Sequence, residues 1–150
     1  MISAEMEKRL IGSKENLVIP IDRVAVIYEH HTLDHALLVM TMQKYSVVPV
    51  IDRDGHMQGL ISLQKMMEAI MELDDVNFSR LGEIKVSEAM NTEYPSVGTD
   101  FSLEKVLNQL VDASFTSVVD EEGILVGIIA RSQILKGTIR LAHDLNNEKN

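Results

Sequence analysis

The sequence has no cysteine, which excludes disulfides, thiolate metal sites and a thiol nucleophile. No apolar run approaches the roughly 18 residues that a membrane helix requires. The opening Met1-Ile2-Ser3-Ala4-Glu5-Met6-Glu7 lacks the basic-then-apolar order of a signal peptide. A cytoplasmic protein without membrane contact is expected. Positive charge is scarce, with 14 Lys and Arg against 23 Asp and Glu and a formal net charge of −9. No basic cluster is present to release counterions from DNA or RNA, so a bulk nucleic-acid partner is excluded. A small anion remains open, because one or two well-placed arginines bind a phosphate whatever the total charge. G-x-S-x-G, Walker and dinucleotide glycine motifs are missing, and no carboxylate pair stands out. Catalytic residues are therefore not expected, and the reading is of a protein that is not an enzyme and carries no cofactor.

What is present is a repetition. Leu33, Ala36, Leu37 and Met40 return as Leu103, Val106, Leu107 and Leu110 at an offset of 70. Tyr45-Ser46 returns as Phe115-Thr116 at the same offset. After a two-residue deletion, Gly55 and Gly59 return as Gly123 and Gly127, and Met66-Met67 as Ile134-Leu135, at 68. Two copies in 150 residues imply a pseudo-symmetric object whose seam is the natural place for a ligand.

Each copy reads strand, helix, strand, strand, helix, an α+β pattern. In the first copy the pattern predicts a strand over Val24–Ile27 and a loop ending in the N-cap Thr32. A helix from Leu33 to Lys44 and a strand over Val47–Ile51 come next. The Asp52-Arg53-Asp54-Gly55 turn leads to a strand from His56 to Ser62. A helix over Leu63–Leu73 turns Leu63, Met66, Met67, Ile70 and Met71 inward. The second copy is read as a lead-in helix Val86–Met90 and a strand Pro95–Val97. A helix Ser102–Val111 capped by Asp100, strands at Ser117–Val119 and Ile124–Ala130, and a helix from about Ser132 to Leu145 complete it. The expected organisation is an N-terminal helix within 1–16, repeats over 17–74 and 85–145, a connector at 75–84 and a frayed tail at 146–150.

The unit resembles the CBS domain, and the pair resembles the two-CBS (Bateman) module. The resemblance rests on Tyr45-Ser46-Val47-Val48-Pro49-Val50-Ile51-Asp52, Gly55 and Gly59-Leu60-Ile61-Ser62. Their counterparts are Phe115-Thr116-Ser117-Val118-Val119-Asp120, Gly123 and Gly127-Ile128-Ile129-Ala130. Asp22-Arg23-Val24-Ala25 and His35-Ala36-Leu37-Leu38-Val39 give a narrower likeness to the small cyclic di-AMP-binding CBS proteins of Gram-positive bacteria. That resemblance implies a cyclic di-AMP receptor that reports to a stringent-response enzyme making and degrading guanosine alarmones. It also implies a homodimer of two tandem pairs.

A nucleotide site of this kind needs an apolar slot for adenine, backbone groups for its edge and cations for phosphate. The slot is assigned to Ala25, Val47, Val48 and Ile129. Tyr45 is placed to stack or to bond through its hydroxyl, with backbone groups around Ser46 and Val47 reading the base. Arg23 and Arg131 supply the cations; the bland alternative is that both are solvated surface charges. Val24, Pro49 and Ser132 complete the residues that the resemblance brings to the ligand. A second, pseudo-equivalent site would be lined by Phe115, Pro95 and Lys65, so one ligand per chain is expected.

Many AMP- or ATP-binding copies of the family place an aspartate three residues beyond the Ser or Thr that ends the second hairpin strand, to hold the ribose. Here those positions are Lys65 and Gln133. The loss disfavours a mononucleotide sensor and suits a cyclic dinucleotide, whose 3′-oxygens are tied into phosphodiesters. Ser132 stands where close relatives carry a second basic residue, which predicts weaker or differently held phosphate. An AMP/ATP sensor and a ligand-free interaction scaffold are the alternatives. His30, His31 and His35, with Glu29 and Asp34, lack a fixed third ligand and are read as surface residues. The Asp52 turn has Leu63 at the twelfth position of a calcium loop, so no metal site is assigned.

Overall fold

The computed structural model describes residues 2–149. The first half of the chain forms α1 (Ala4–Ile11), α2 (Lys14–Leu17), β1 (Ile19–Pro20), β2 (Ile27–Tyr28), α3 (Leu33–Gln43), β3 (Val47–Ile51), β4 (Met57–Ser62) and α4 (Leu63–Ile70). The second forms α5 (Val86–Ala89), β5 (Ser96–Val97), α6 (Leu103–Leu110), β6 (Phe115–Val119), β7 (Leu125–Ala130) and α7 (Arg131–Glu148). The mixed α+β class is as expected. Compactness divides the chain into two units that cut across the repeats. One comprises the chain up to Val24, Pro95–Asp120 and everything from Val126 onward. The other comprises Ala25–Tyr94 with Glu121–Leu125.

In the unit built on Ala25–Tyr94, the sheet order is β2-β3-β4, with β2 parallel and β4 antiparallel to β3. β4 alternates strictly, Met57, Gly59 and Ile61 buried and Gln58, Leu60 and Ser62 half-buried. That period-2 pattern is what a strand with one covered face requires. The register slips between Val50 and Ile51, where Gly59 and then Met57 are the partners, leaving Gln58 as the extra residue of a bulge. Leu33, Ala36 and Met40 of α3 and Met66 and Ile70 of α4 close over Ile27, Val48, Val50 and Ile61. A backbone clasp secures the lead-in to α5. Leu33 N–H donates to Ile84 C=O at 2.9 Å, Val86 N–H to His31 C=O at 2.8 Å and Ser87 N–H to Glu29 C=O at 3.0 Å. Asn91 then pairs with Leu60 of β4 in both directions, at 2.9 and 2.8 Å.

In the other unit the sheet order is β1-β7-β6-β5. Its core gathers Leu103, Val106 and Leu110 of α6, Val118, Ile129 and Ile134, joined by Ile11 and Leu17 from the N-terminal segment. β1 pairs antiparallel to β7, Ile19 opposite Ile128 and Pro20 opposite Gly127. The lead-in to each repeat thus docks on the hairpin of the other, Asn91 on β4 and Ile19–Pro20 on β7. The sites of docking are Gly59 and Gly127, the glycines that the repeat pairs at an offset of 68.

Several boundaries differ from the sequence reading. The strand expected over Val24–Ile27 begins only at Ile27, and Val24–Val26 is irregular. Thr32 precedes α3, but its hydroxyl bonds the Asp34 carboxylate rather than a helix N–H. α4 stops at Ile70 because Met71 is extended and bridges Val76; Leu63, Met67 and Met71 are exposed, leaving Met66 and Ile70 as its inward residues. Ser102, not Asp100, caps α6, its hydroxyl accepting Lys105 N–H at 3.3 Å. α7 continues to Glu148 through the segment expected to fray, and Glu148 pairs with Arg9.

A Cβ at Gly127 would lie 2.2 Å from the Ile19 carbonyl oxygen, and one at Gly59 would lie 2.6 Å from that of Asn91. Backbone cannot yield as a flexible side chain can. Gly127→Ala and Gly59→Ala are each expected to lower unfolding free energy by about 1–3 kcal/mol, the range for overpacking. Urea denaturation checks this, and unchanged midpoints would show that the docked segments do not carry stability.

Candidate functional site

The residues singled out for ligand binding fall on three local structures. Pro20 fixes the start of a 3-10 turn over Ile21–Arg23, which Val24 N–H closes onto Ile21 C=O at 3.1 Å. This turn holds Arg23 exposed, and its guanidinium makes no ion pair among the described residues. Val24 is half-buried. Ala25, in the other unit, packs against the edge of the core that contains Ile27 and Val48.

The second local structure is the turn from α3 into β3. Lys44 adopts a left-handed conformation (φ 59°) and donates its N–H to Met40 and Thr41 carbonyls. Tyr45 N–H also reaches Met40 C=O, at 3.0 Å, and Ser46 C=O accepts Leu63 N–H at 3.1 Å. The backbone is therefore pinned while the Tyr45 side chain stays 50% exposed. Ser46 is exposed and Val47 half-buried. The third is the start of α7, where Arg131 N–H donates to Ser114 C=O at 2.9 Å. This is the Leu63–Ser46 bond repeated at an offset of 68.

Two expectations about these residues are corrected by packing. Val48 and Ile129, read as walls of an adenine slot, are 1% and 0% exposed. Both point to the covered face of their sheets, so their side chains serve the cores; Pro49 is buried as well. Ala25 and Val47 are the slot residues that keep accessible surface. Arg131 is neither a solvated charge nor a free cation. Its Nε donates to Leu110 C=O at 2.8 Å and its Nη2 to Ala113 C=O at 2.9 Å and Val111 C=O at 3.4 Å. It satisfies the carbonyls left over at the end of α6 and favours that negative dipole end. Its Nη1 amine stays uncommitted among the described residues. Ser132 is exposed.

The structure also assembles two clusters that the sequence reading left as surface. Tyr28, His30, His31 and His35 pack as rings, with His30–His31 and His31–His35 centroids 4.6 and 4.3 Å apart, both edge-on. The Nδ1 atoms of His30 and His31 are buried without hydrogen-bond partners. Burial first, then the neighbouring His35, His30 and Arg53, hold His31 below the ordinary imidazole value of 6.5. The His-His-x-x-x-His spacing is the signal that marks this cluster. At the β3–β4 turn, Asp52, Asp54 and His56 bring ligand-type atoms within 4.8 Å of one another. Asp52 already accepts Asp54 N–H and His56 N–H, each at 2.9 Å, and lies 3.0 Å from His56 Nδ1. Burial works against the Asp52 charge, but these bonds outweigh it and keep the carboxyl below its usual range.

The chain belongs to the CBS domain family, whose model matches residues 15–72 and 86–139. It is 30% identical over 146 residues to the cyclic di-AMP receptor B of Bacillus subtilis, covering 97% of this chain and 99% of that one. It is similar to the CbpB protein of Listeria monocytogenes solved in complex with c-di-AMP, at 36% identity and a TM-score of 0.82, over 86% of this chain and 96% of that one. A CBS domain protein of Streptococcus pneumoniae gives 36% identity and a TM-score of 0.84, over 93% and 94%. These end-to-end matches are to proteins made of CBS repeats alone, and the chain is a regulatory binding module, not an enzyme. No helix among the described residues is long and apolar enough to cross a membrane.

The histidine cluster makes stability depend on acidity. Above pH 6.5 His31 is neutral in both folded and unfolded chains. Below it the unfolded chain takes up a proton that the folded chain refuses, so folding weakens as pH falls towards the lower folded value. Denaturation at a series of pH values is expected to show an acid-side slope that His31→Asn flattens. Identical slopes in the two proteins would contradict this.

Proposed function

We propose that this chain is a receptor for cyclic di-AMP that conveys the nucleotide's level to a protein partner in the cytoplasm. The observation that carries the reading is the likeness, over 86% of this chain and 96% of the other, to a CbpB structure solved with c-di-AMP. The chain's own residues support it. Arg23 makes no ion pair among the described residues, Tyr45 is half exposed beside a pinned backbone, and Ala25 and Val47 leave small apolar surface for a base. Arg131 offers its remaining Nη1 donors to a phosphate, a charge-assisted contact with fixed direction. Lys65 and Gln133 leave both repeats without the carboxylate that would grip a free ribose, which disfavours AMP or ATP in this role.

Unpartnered surface supports a homodimer as part of this reading. Leu38 and Met42 of α3 are 58% and 72% exposed, and a second copy is the occupant that would cover them around a two-fold axis. The partner we assign is the alarmone synthetase/hydrolase implied by the family resemblance. Nucleotide controls that partner if it binds the competent and incompetent forms with different affinity.

Calorimetry on nucleotide-stripped protein tests the assignment. Cyclic di-AMP is expected to bind far more tightly than cyclic di-GMP, at one per chain, because the apolar slot residues carry no group that reads guanine's exocyclic amine. Arg23→Met and Arg131→Met are each expected to cost about 1.5–3 kcal/mol of binding. Only Arg131→Met also lowers stability, by about 1–2 kcal/mol, because it strips the end of α6. Equal affinity for the two cyclic dinucleotides contradicts the proposal.

A further inference from the structure

The connector between the repeats carries apolar surface that the fold leaves uncovered, and it lies wholly within the unit built on Ala25–Tyr94. Leu73 is fully exposed, and Met71 and Phe78 are 58% and 62% exposed. Single exposed apolar residues are ordinary on a protein surface, but three within one short connector make a patch. They stand apart from Leu38 and Met42 of α3, assigned above to a second copy, and from every residue assigned to cyclic di-AMP.

The backbone holds this patch in place. Met71 and Val76 face each other in an antiparallel bridge. Glu72 N–H donates to Asp75 C=O at 2.7 Å and Asn77 N–H to Ile70 C=O at 2.9 Å. The connector is therefore a short hairpin with Leu73 and Asp74 at its tip. Asn77 Nδ2 donates across it to the Glu72 carboxylate at 3.1 Å, and Val76 N–H donates to Asp75 Oδ1 at 2.7 Å. Phe78 opens a 3-10 turn directly behind it. A preformed apolar tip has little ordering entropy to lose when it docks.

Charge selects the occupant. Glu72, Asp74 and Asp75 are exposed and make no ion pair among the described residues. Cations in the flanking segments are engaged otherwise: Lys65 pairs with Glu68 at 3.5 Å, and Arg80 Nη1 donates to Ala69 C=O at 3.3 Å. The apolar tip is thus set among three uncompensated carboxylates, which repel nucleic acid and anionic lipid surfaces alike. A protein face with an apolar socket rimmed by Lys or Arg matches both features. The apolar anchor supplies affinity, and the opposed charges steer the encounter and fix its register.

We propose that the hairpin from Met71 to Phe78 is the surface through which this chain docks its protein partner, and that the partner presents a basic-rimmed apolar socket to it. Leu73 is the anchor, Met71 and Phe78 flank it, and Glu72, Asp74 and Asp75 meet the rim. The proposal rests on the reading of the chain as a receptor with a protein partner, and it adds the place and the chemistry of their contact.

The test is calorimetry between the full chain and the alarmone synthetase/hydrolase at about 0.15 M salt, with cyclic di-AMP absent and then saturating. In whichever condition the two bind, Leu73→Ser/Phe78→Ser is expected to weaken the complex at least about tenfold, the effect of losing anchor residues. Its urea midpoint stays at the wild-type value, because both side chains are exposed. Glu72→Gln/Asp74→Asn/Asp75→Asn is expected to weaken the complex and reduce its salt dependence. Glu5→Gln/Glu15→Gln/Glu104→Gln removes the same charge elsewhere and leaves affinity as in the wild type. The proposal is overturned if the Leu73/Phe78 variant binds as the wild type does, or if the two charge variants act alike. It is also overturned if light scattering shows that Leu73→Ser/Phe78→Ser dissociates a homodimer, which would assign the patch to a second copy. If the enzyme binds in neither condition, that partner assignment falls, and NMR titration with an amphipathic Leu/Lys helical peptide decides the hairpin. Saturable shifts confined to the amides from Met71 to Phe78 support it. No shifts there, or equal shifts with a Leu/Glu peptide, overturn it.

Discussion

The contact on which most of this structure depends is one between bare backbones. At Gly59 and Gly127 a strand of each hairpin meets a segment that precedes the other repeat, and the absence of a side chain lets the chains touch. At Gly127 that segment is Ile19–Pro20, paired along β7; at Gly59 it is Asn91, doubly bonded to Leu60. The consequences reach the functional residues directly. Docking of Ile19–Pro20 fixes the 3-10 turn that presents Arg23, and it brings Ile11 and Leu17 into the core beside Ile129. The same exchange explains why compact units do not coincide with sequence repeats. Each repeat lacks an edge element that its own residues do not supply.

The repetition and its glycines were legible from residue type and spacing, because turn chemistry and alternating burial are local properties. β3, β4 and the hairpin turns follow from them, as does the mixed α+β class. The errors arise where a tertiary bond overrides a local preference. Asp100 is a good cap by type, yet Ser102 is the residue next to the first helical turn. Met71 continues an amphipathic stripe, yet its bridge to Val76 ends the helix. Val24–Val26 has strand-forming side chains but no paired neighbour until Ile27 reaches Val50.

The residues proposed to meet the ligand show the same division. Arg23, Tyr45 and Ser46 lie exposed, as a ligand contact must. Val48 and Ile129 suit an adenine slot by size, but the sheet turns them into the cores. Arg131 reveals most, since a long side chain that caps another helix leaves no mark in its own neighbourhood of the sequence. Its three carbonyl partners at Leu110, Val111 and Ala113 lie about twenty positions earlier. The cap fixes the guanidinium's direction in advance, which would lower the rotamer entropy lost in the proposed phosphate contact. The residue thus caps α6 and holds a cation in a fixed direction.

The central claim, that the chain binds cyclic di-AMP through Arg23, Tyr45, Ser46 and Arg131, is tested most directly by NMR. Backbone and arginine side-chain resonances of nucleotide-stripped protein would be followed during titration with cyclic di-AMP. The account predicts saturable shifts at the Ser46 and Val47 amides and at the Arg23 and Arg131 Nε–H groups. Absence of shifts, or shifts confined to residues away from these four, would contradict it.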